Sequence, residues 1–392
     1  MLKQAIEQLR DLIHYDTTSR NSNLELLAHI QQQLDALSIP YELSFNRDKS
    51  KANLFATIGN PDIPGLVLSG HTDVVPVDGQ DWSGDPFCLR EHDQRLYGRG
   101  SCDMKGFIAV CLAMAESFQK ADLPVPIHFA FSYDEEVGCV GVRDLISELD
   151  KREVRPLVCI VGEPTSMQVV SAHKGMLDTN CTVHGCAGHS SLPDQGVNSI
   201  FVASKLINRL QEIAAEIKIT GPFDARFDPP HSTVHVGKIH GGTAVNIIPE
   251  HCEFEYEIRN VPDQDPREIS KIVEQYAREE LLPGMQAVSA KSDIHWDTRA
   301  IFPGLDTPEK SPLNEWMREV METEQASGAV SYGTEAGLFS EIGIETIVCG
   351  PGSIEQAHRP DEYVELGQIE ACIDLMESLI DQIKKGSWPQ AT

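Results

Sequence analysis

Histidine and carboxylate residues gather in five short segments of the 392-residue chain. The first is Gly70-His71-Thr72-Asp73, an imidazole and a carboxylate two residues apart. A metal-bound imidazole usually passes its second ring N–H to a carboxylate or carbonyl, so His71 could be a ligand and Asp73 its orienter. Taken alone, the pair reads equally well as a satisfied structural histidine. The second segment, 97–106, places Asp103 among glycines at 98, 100 and 106 that allow tight turning. Its bland alternative is a helix N-cap, because a helix is expected from about residue 104. The third holds Asp134-Glu135-Glu136, three consecutive carboxylates that repel one another unless solvated or beside cations. A solvated acidic turn is one reading. In the other, one carboxylate binds a metal while its neighbour takes a proton from an activated water. Glu163, in Gly162-Glu163-Pro164-Thr165, and His358, in Gln356-Ala357-His358-Arg359-Pro360, complete the set. Imidazoles and carboxylates without a thiolate suit zinc, cobalt or manganese in a hydrolytic site.

These segments need a scaffold that brings them to one place. Apolar periodicity predicts helices near 2–15 and 23–37. Short apolar runs at 53–58, 65–69, 127–132 and 157–161 read as buried strands, with helices near 104–119 and 140–149 between them. Alternating strands and helices imply an α/β sheet covered on both faces. Ligand sites in such sheets lie beyond the carboxyl ends of strands, where most of the five segments fall. The middle of the chain differs. Strand 176–183, helix 197–217, strands 232–238 and 252–259, helix 266–281 and strand 286–296 give βαββαβ, the ferredoxin-like order. The α/β pattern then resumes, with helices near 311–322, 334–341 and 366–384 and a strand at 346–349. A small domain inserted into a larger one is the simplest account. Residues 386–392 read as a frayed tail.

Composition narrows the function classes. A net charge of −28 argues against nucleic acid and anionic membranes as partners, because phosphate contacts need a basic patch. No apolar run is long enough for a membrane helix, and the amphipathic start lacks the core of a secretory signal. Ten cysteines without a CxxC pair suggest reduced, buried thiols, hence a cytoplasmic protein.

Taken together, SGHTDVVP at 69–76, GRGSCDMKG at 98–106, DEEVG at 134–138, GEPT at 162–165 and the late His358 resemble the M20 family of metallopeptidases and metal-dependent deacylases in order and spacing. The resemblance covers nearly the whole chain. It implies a metallopeptidase-type catalytic domain, with helices around a mixed β-sheet, over 1–176 and 298–392. An inserted α+β ferredoxin-like lid and dimerisation domain is implied over 177–297. It further implies two divalent metal ions, zinc first and cobalt as an alternative. Asp103 would bridge them, His71 and Glu163 would complete one site, and Glu136 and His358 the other. Asp73 would orient His71, and Glu135 would be the general base. His189, in GHSS, resembles the lid histidine that steadies the oxyanion, and Asn246, in GGTAVN, belongs to a substrate-binding segment. Arg259 resembles a carboxylate clamp, with a strand-end surface ion pair as its alternative. The stretch 331–339, SYGTEAGLF, contains Thr334 and Glu335 and resembles the acetylornithine deacetylase branch. It departs from the GTSDGRF of succinyl-diaminopimelate desuccinylases. Glu335 would receive a substrate ammonium or simply start a helix. The implied reaction is hydrolysis of N2-acetyl-L-ornithine in arginine biosynthesis by a homodimer. The alternatives are a desuccinylase, a broader N-acyl-amino-acid deacylase or a dipeptidase.

Overall fold

The computed structural model describes residues 1–389. They form two compact units, one of residues 1–172, 305–329 and 334 onward, the other of 173–304 and 330–333. These limits differ from those read in the sequence by several residues. The short return of 330–333 to the second unit carries no sequence signal.

The first unit is built on a mixed sheet. Its order is Tyr41–Phe45, Ala52–Ile58, Ile127–Ser132, Leu66–His71, Val158–Val161, Glu345–Val348, Val170–His173, Leu305–Asp306, with Gly328–Val330 paired to Val170–His173. The four central strands, 127–132, 66–71, 158–161 and 345–348, are mutually parallel, so their carboxyl ends share one edge. Three of them are buried at every position and the fourth at all but its first, which is why they read as unbroken apolar runs. Helix Lys105–Ala121 buries Phe107, Ile108, Val110, Cys111, Met114 and Phe118 in this unit's core. The outer strand Tyr41–Phe45 is half-exposed and escaped the sequence reading for that reason. No helix of the described residues is long and apolar enough to cross a membrane.

The second unit has a four-stranded antiparallel sheet in the order Thr233–Gly241, His251–Asn260, Gly175–His184, Asp293–Phe302. Strand His251–Asn260 shows how sequence sets its faces. Cys252, Phe254, Tyr256 and Ile258 point inward, while Glu253, Glu255, Glu257 and Arg259 alternate outward. Helices Ser199–Thr220 and Pro266–Tyr276 contribute Leu206, Leu210, Ile269 and Val273 to the same core. The strand expected at 286–296 begins only at Asp293. Before it the helix runs on from Pro266–Tyr276 through a π-helical stretch, Ala277–Leu281, into Leu282–Val288, so Pro283 lies just past the widened turn that accommodates it.

The expected frayed tail is also corrected. Ser387 accepts a hydrogen bond from the Trp316 indole at 3.0 Å, and Trp388 packs edge-on against Trp316 at 5.2 Å. Residues 390–392 lie outside the described part.

Candidate active site

The shared carboxyl edge of the parallel strands gathers the acidic segments. His71 is the last residue of its strand and is 1% exposed. Its Nδ1 lies 2.9 Å from the backbone oxygen of Asp73, a pure acceptor, so that nitrogen carries the proton. Its Nε2 then faces Asp103 Oδ1 at 3.0 Å and Glu163 Oε1 at 3.7 Å. Glu163 is placed by Gly162, where an added Cβ would fall 2.0 Å from the Phe107 ring. No residue larger than glycine lets the strand end pass that close to the helix.

Asp103 is not a helix cap. The helix begins at Lys105 with Met104 before it, and the Asp103–Met104 peptide is cis. The carboxylate of Asp103 lies between two imidazoles. Its Oδ1 meets His71, and its Oδ2 lies 3.2 Å from His358 Nε2. His358 Nε2 also lies 3.1 Å from Glu136 Oε2. His358 stands half-exposed, whereas Asp103 and Glu136 have nearly buried side chains. One set of ligand atoms from His71, Glu135 and Glu163 lies within 4.8 Å, and so does one from His71, Asp103 and Glu136.

The electrostatics are those of crowded anions. Burial lowers the His71 pKa, but Glu163, Asp103 and Asp73 outweigh it and raise the ring well above its ordinary value. Hydrogen bonds to Asp103 and Glu136 push His358 up to about 10. Burial, reinforced by Glu136 and Asp103, pushes Glu135 up to about 8 against the pull of His71. Burial and the Asp103 charge push Glu136 up to about 7. Glu136 Oε1 is buried with no hydrogen-bond partner. Two imidazole nitrogens aimed at one shared carboxylate, with an orphaned carboxylate oxygen beside them, make a donor set that divalent cations suit in place of protons, so the residues fit them.

The chain matches the sequence profile of peptidase family M20/M25/M40 over residues 67–382. The chain belongs to that family. An acetylornithine deacetylase of Myxococcus xanthus is 36% identical over 93% of both chains. One from Klebsiella pneumoniae (strain 342) is 35% identical over 85% of this chain and 83% of its own. Among solved structures, an M20 family metallo-carboxypeptidase from Sulfolobus solfataricus superposes with a TM-score of 0.76 at 18% identity, covering 97% of this chain and 99% of its own. A dinuclear metal binding peptidase of the M20 family from Bacillus subtilis gives 0.65 at 15% identity, covering 97% of each. This M20 chain is therefore a hydrolase with a metallopeptidase fold.

Several expected site residues of the M20 chain sit differently from their reading in the sequence. The Asp73 carboxylate stands 3.6 Å from His71 Nδ1, whose shorter contact, at 2.9 Å, is with the backbone oxygen of Asp73. The carboxylate instead accepts from the backbone N–H of Glu135 at 3.1 Å and of Glu136 at 3.3 Å, and from Ser19 Oγ at 2.7 Å. It thus sets the turn that bears both glutamates. Glu335 is fully buried, and its two oxygens accept from Ser69 Oγ at 2.6 Å and Ser132 Oγ at 2.7 Å. A carboxylate so enclosed presents no open face to a substrate ammonium. Thr334 is buried too, its hydroxyl accepting from the backbone N–H of Ala336.

His189, Asn246 and Arg259 belong to the second unit. The backbone N–H of Ser191 donates to His189 Nδ1 at 3.2 Å, which leaves the Nε2–H of the neutral ring as a donor. Asn246 is exposed, and its backbone oxygen accepts from Ser190 N–H. Arg259 pairs with Glu257 through Nε and Nη2, both at 3.1 Å. That is the ion pair held as the alternative to a clamp.

The sequence reading passed over Glu362. This buried carboxylate accepts from the N–H groups of Gly100, Cys102 and Asp103 and pairs with Arg99 at 2.6 Å. It shapes the loop that presents Asp103. Cys139, also unremarked, directs its thiol at Glu135 Oε1 over 3.3 Å.

Proposed function

We propose that this M20 hydrolase cleaves the amide bond of N2-acetyl-L-ornithine, giving L-ornithine and acetate as a step of arginine biosynthesis. The observation that carries this is the similarity to proteins named acetylornithine deacetylase, at 36% identity across 93% of both chains in one case.

In this reading two divalent cations, zinc first and cobalt as the alternative, are held at the strand edge. Asp103 would be shared between them, His71 and Glu163 would hold one cation, and Glu136 and His358 would hold the other. When bound, the cations lower the pKa of the attacking water and polarise the scissile carbonyl. Glu135 takes the proton of that water on its carboxylate. The water oxygen bonds to the acyl carbon, the C–N bond breaks, and Glu135 returns the proton to the amine nitrogen. Asp73 fixes the Glu135–Glu136 turn through its two backbone contacts, and its carbonyl holds the tautomer of His71. His189, with Nε2–H free to donate, is the proposed oxyanion donor, from this chain or from a second copy.

The second unit, residues 173–304 with 330–333, is the proposed lid and dimer contact. Its edge strand Thr233–Gly241 is unpaired on one side among the described residues, and Ile239, Val245 and Ile247 are exposed around it. Light scattering should return the mass of two chains. All ten cysteines are free thiols, which supports a reducing, cytoplasmic setting.

The deciding experiment compares rates on N2-acetyl-L-ornithine and N-succinyl-diaminopimelate after adding zinc or cobalt to chelated protein. Preferential, metal-restored cleavage of the acetyl substrate is expected. Preference for the succinyl compound would overturn the substrate assignment while keeping the chemistry.

A further inference from the structure

His358 is the odd member of the cluster. Its side chain is 51% exposed, whereas those of His71, Asp103, Glu136 and Glu163 are at most 7% exposed. Its backbone is in the left-handed region at φ 63°, which a non-glycine residue keeps only when its surroundings fix it. Packing does not enclose this imidazole, so something else must set its place.

The backbone oxygen of His358 accepts from Gln80 Nε2 at 2.9 Å. The other end of the same amide, Gln80 Oε1, accepts from Arg99 Nη2 at 2.5 Å and from the Trp82 indole N–H at 3.0 Å. These two donors fix which way round the amide lies, with its NH2 toward His358. Arg99 continues to Glu362 Oε2 at 2.6 Å, and Glu362 Oε1 receives the backbone N–H of Asp103 at 3.1 Å. The path therefore runs from the His358 backbone through Gln80, Arg99 and Glu362 to the Asp103 backbone. It closes through the 3.2 Å approach of the two side chains. Within this ring Gln80 is the one member that touches the His358 loop by a side chain and is not itself buried.

We propose that Gln80 is a positioning residue that holds the His358 loop at its distance from Asp103 and so maintains the cation site they share. The proposal rests on the reading of Asp103 and His358 as metal ligands. A separate tether, Asp361 with the backbone N–H of Ser83 at 3.1 Å and with Arg90 at 2.6 Å, fastens the far end of the loop. Loss of the Gln80 amide therefore frees the histidine end without releasing the whole segment. Partners that orient ligands commonly change metal affinity by about 10–100-fold when removed.

The test counts zinc sites on chelated apoprotein by competition with a chromophoric chelator, for the wild type, Gln80→Ala, Gln80→Glu and His358→Ala. Thermal unfolding of the metal-free proteins checks that the fold is intact. Two sites are expected in the wild type and one in His358→Ala. Gln80→Ala should keep one site at wild-type affinity and weaken the other about 10–100-fold. Gln80→Glu keeps an acceptor for Arg99 but opposes a carboxylate to the His358 oxygen, so it should weaken that site at least as much. Both Gln80 variants retaining both affinities within about twofold, beside a one-site His358→Ala, would overturn the proposal alone. A wild type with fewer than two sites, or a His358→Ala that retains two, would instead remove the ligand reading beneath it.

Discussion

Glu135 and Glu136 are neighbours on one turn, yet their surroundings separate them. Glu136 Oε2 lies 3.1 Å from His358 Nε2, whereas Glu135 Oε1 takes the Cys139 thiol at 3.3 Å. A buried carboxylate with a raised pKa is suited to accepting a proton. Glu135→Gln should therefore lower kcat about 10²–10⁴-fold while zinc stoichiometry stays at the wild-type value, as metal analysis beside steady-state rates would show. Glu335 leads to a different expectation. Glu335→Ala removes the acceptor of the Ser132 hydroxyl, takes one of two acceptors from Ser69 and leaves a void, at a cost of about 2–4 kcal/mol in denaturant unfolding. A variant of full stability with only a raised KM would restore the ammonium-binding reading. Side-chain identity offers Asp73, Glu335 and Thr334 as site candidates. It does not show which oxygen points where, because their partners are backbone amides or distant serines. Glu362 was illegible for the same reason: its contact with Asp103 spans 259 residues and uses main-chain donors any sequence would supply.

Elements were more legible than contacts. Helix Leu366–Lys384 and strand Ile127–Ser132 fall at their expected limits, because an amphipathic repeat and a fully buried run each leave a clear pattern. The short strands Arg90–His92, Arg95–Tyr97 and Tyr363–Glu365 form a separate small sheet and were missed. Three residues are too few to establish a period. Gly162 shows how tightly an element must be placed to deliver a ligand. In Gly162→Ala the new methyl meets the Phe107 ring, so the strand end and helix Lys105–Ala121 must separate. About 1–3 kcal/mol of stability should be lost in urea unfolding, together with zinc affinity, because Glu163 moves with its strand.

Across the whole molecule, 60 acidic residues stand against 32 basic ones, and several of the acidic side chains are confined near His71. Cations that bind only the folded form stabilise it by mass action, about 4 kcal/mol at a thousandfold excess over Kd. Chelation should thus lower the midpoint of thermal unfolding by several degrees, recovered on adding zinc; an unchanged midpoint would speak against a resident metal. Acid should act through a different group. His128 is 4% exposed, its ring stacked on Phe55 and bonded to Thr57, and burial lowers its pKa to about 3. The unfolded chain takes up that proton near pH 6.5 and the folded one does not, so stability falls as pH drops from about 6.5 toward 3. Between pH 7 and 5 this amounts to about 2 kcal/mol, and His128→Gln should flatten that part of the stability curve.

The order of the proposed ligands along the chain has a consequence for synthesis. His71, Asp103, Glu136 and Glu163 all precede the second unit, while His358 follows it. Roughly two hundred residues separate Glu163 from His358, so at about 5–20 residues per second a ribosome needs on the order of ten to forty seconds to supply the last ligand. For that interval the nascent chain carries the residues of one cation site and only part of the other. On that assignment the proposed second site stays incomplete until strand Glu345–Val348 has been made and His358 follows it.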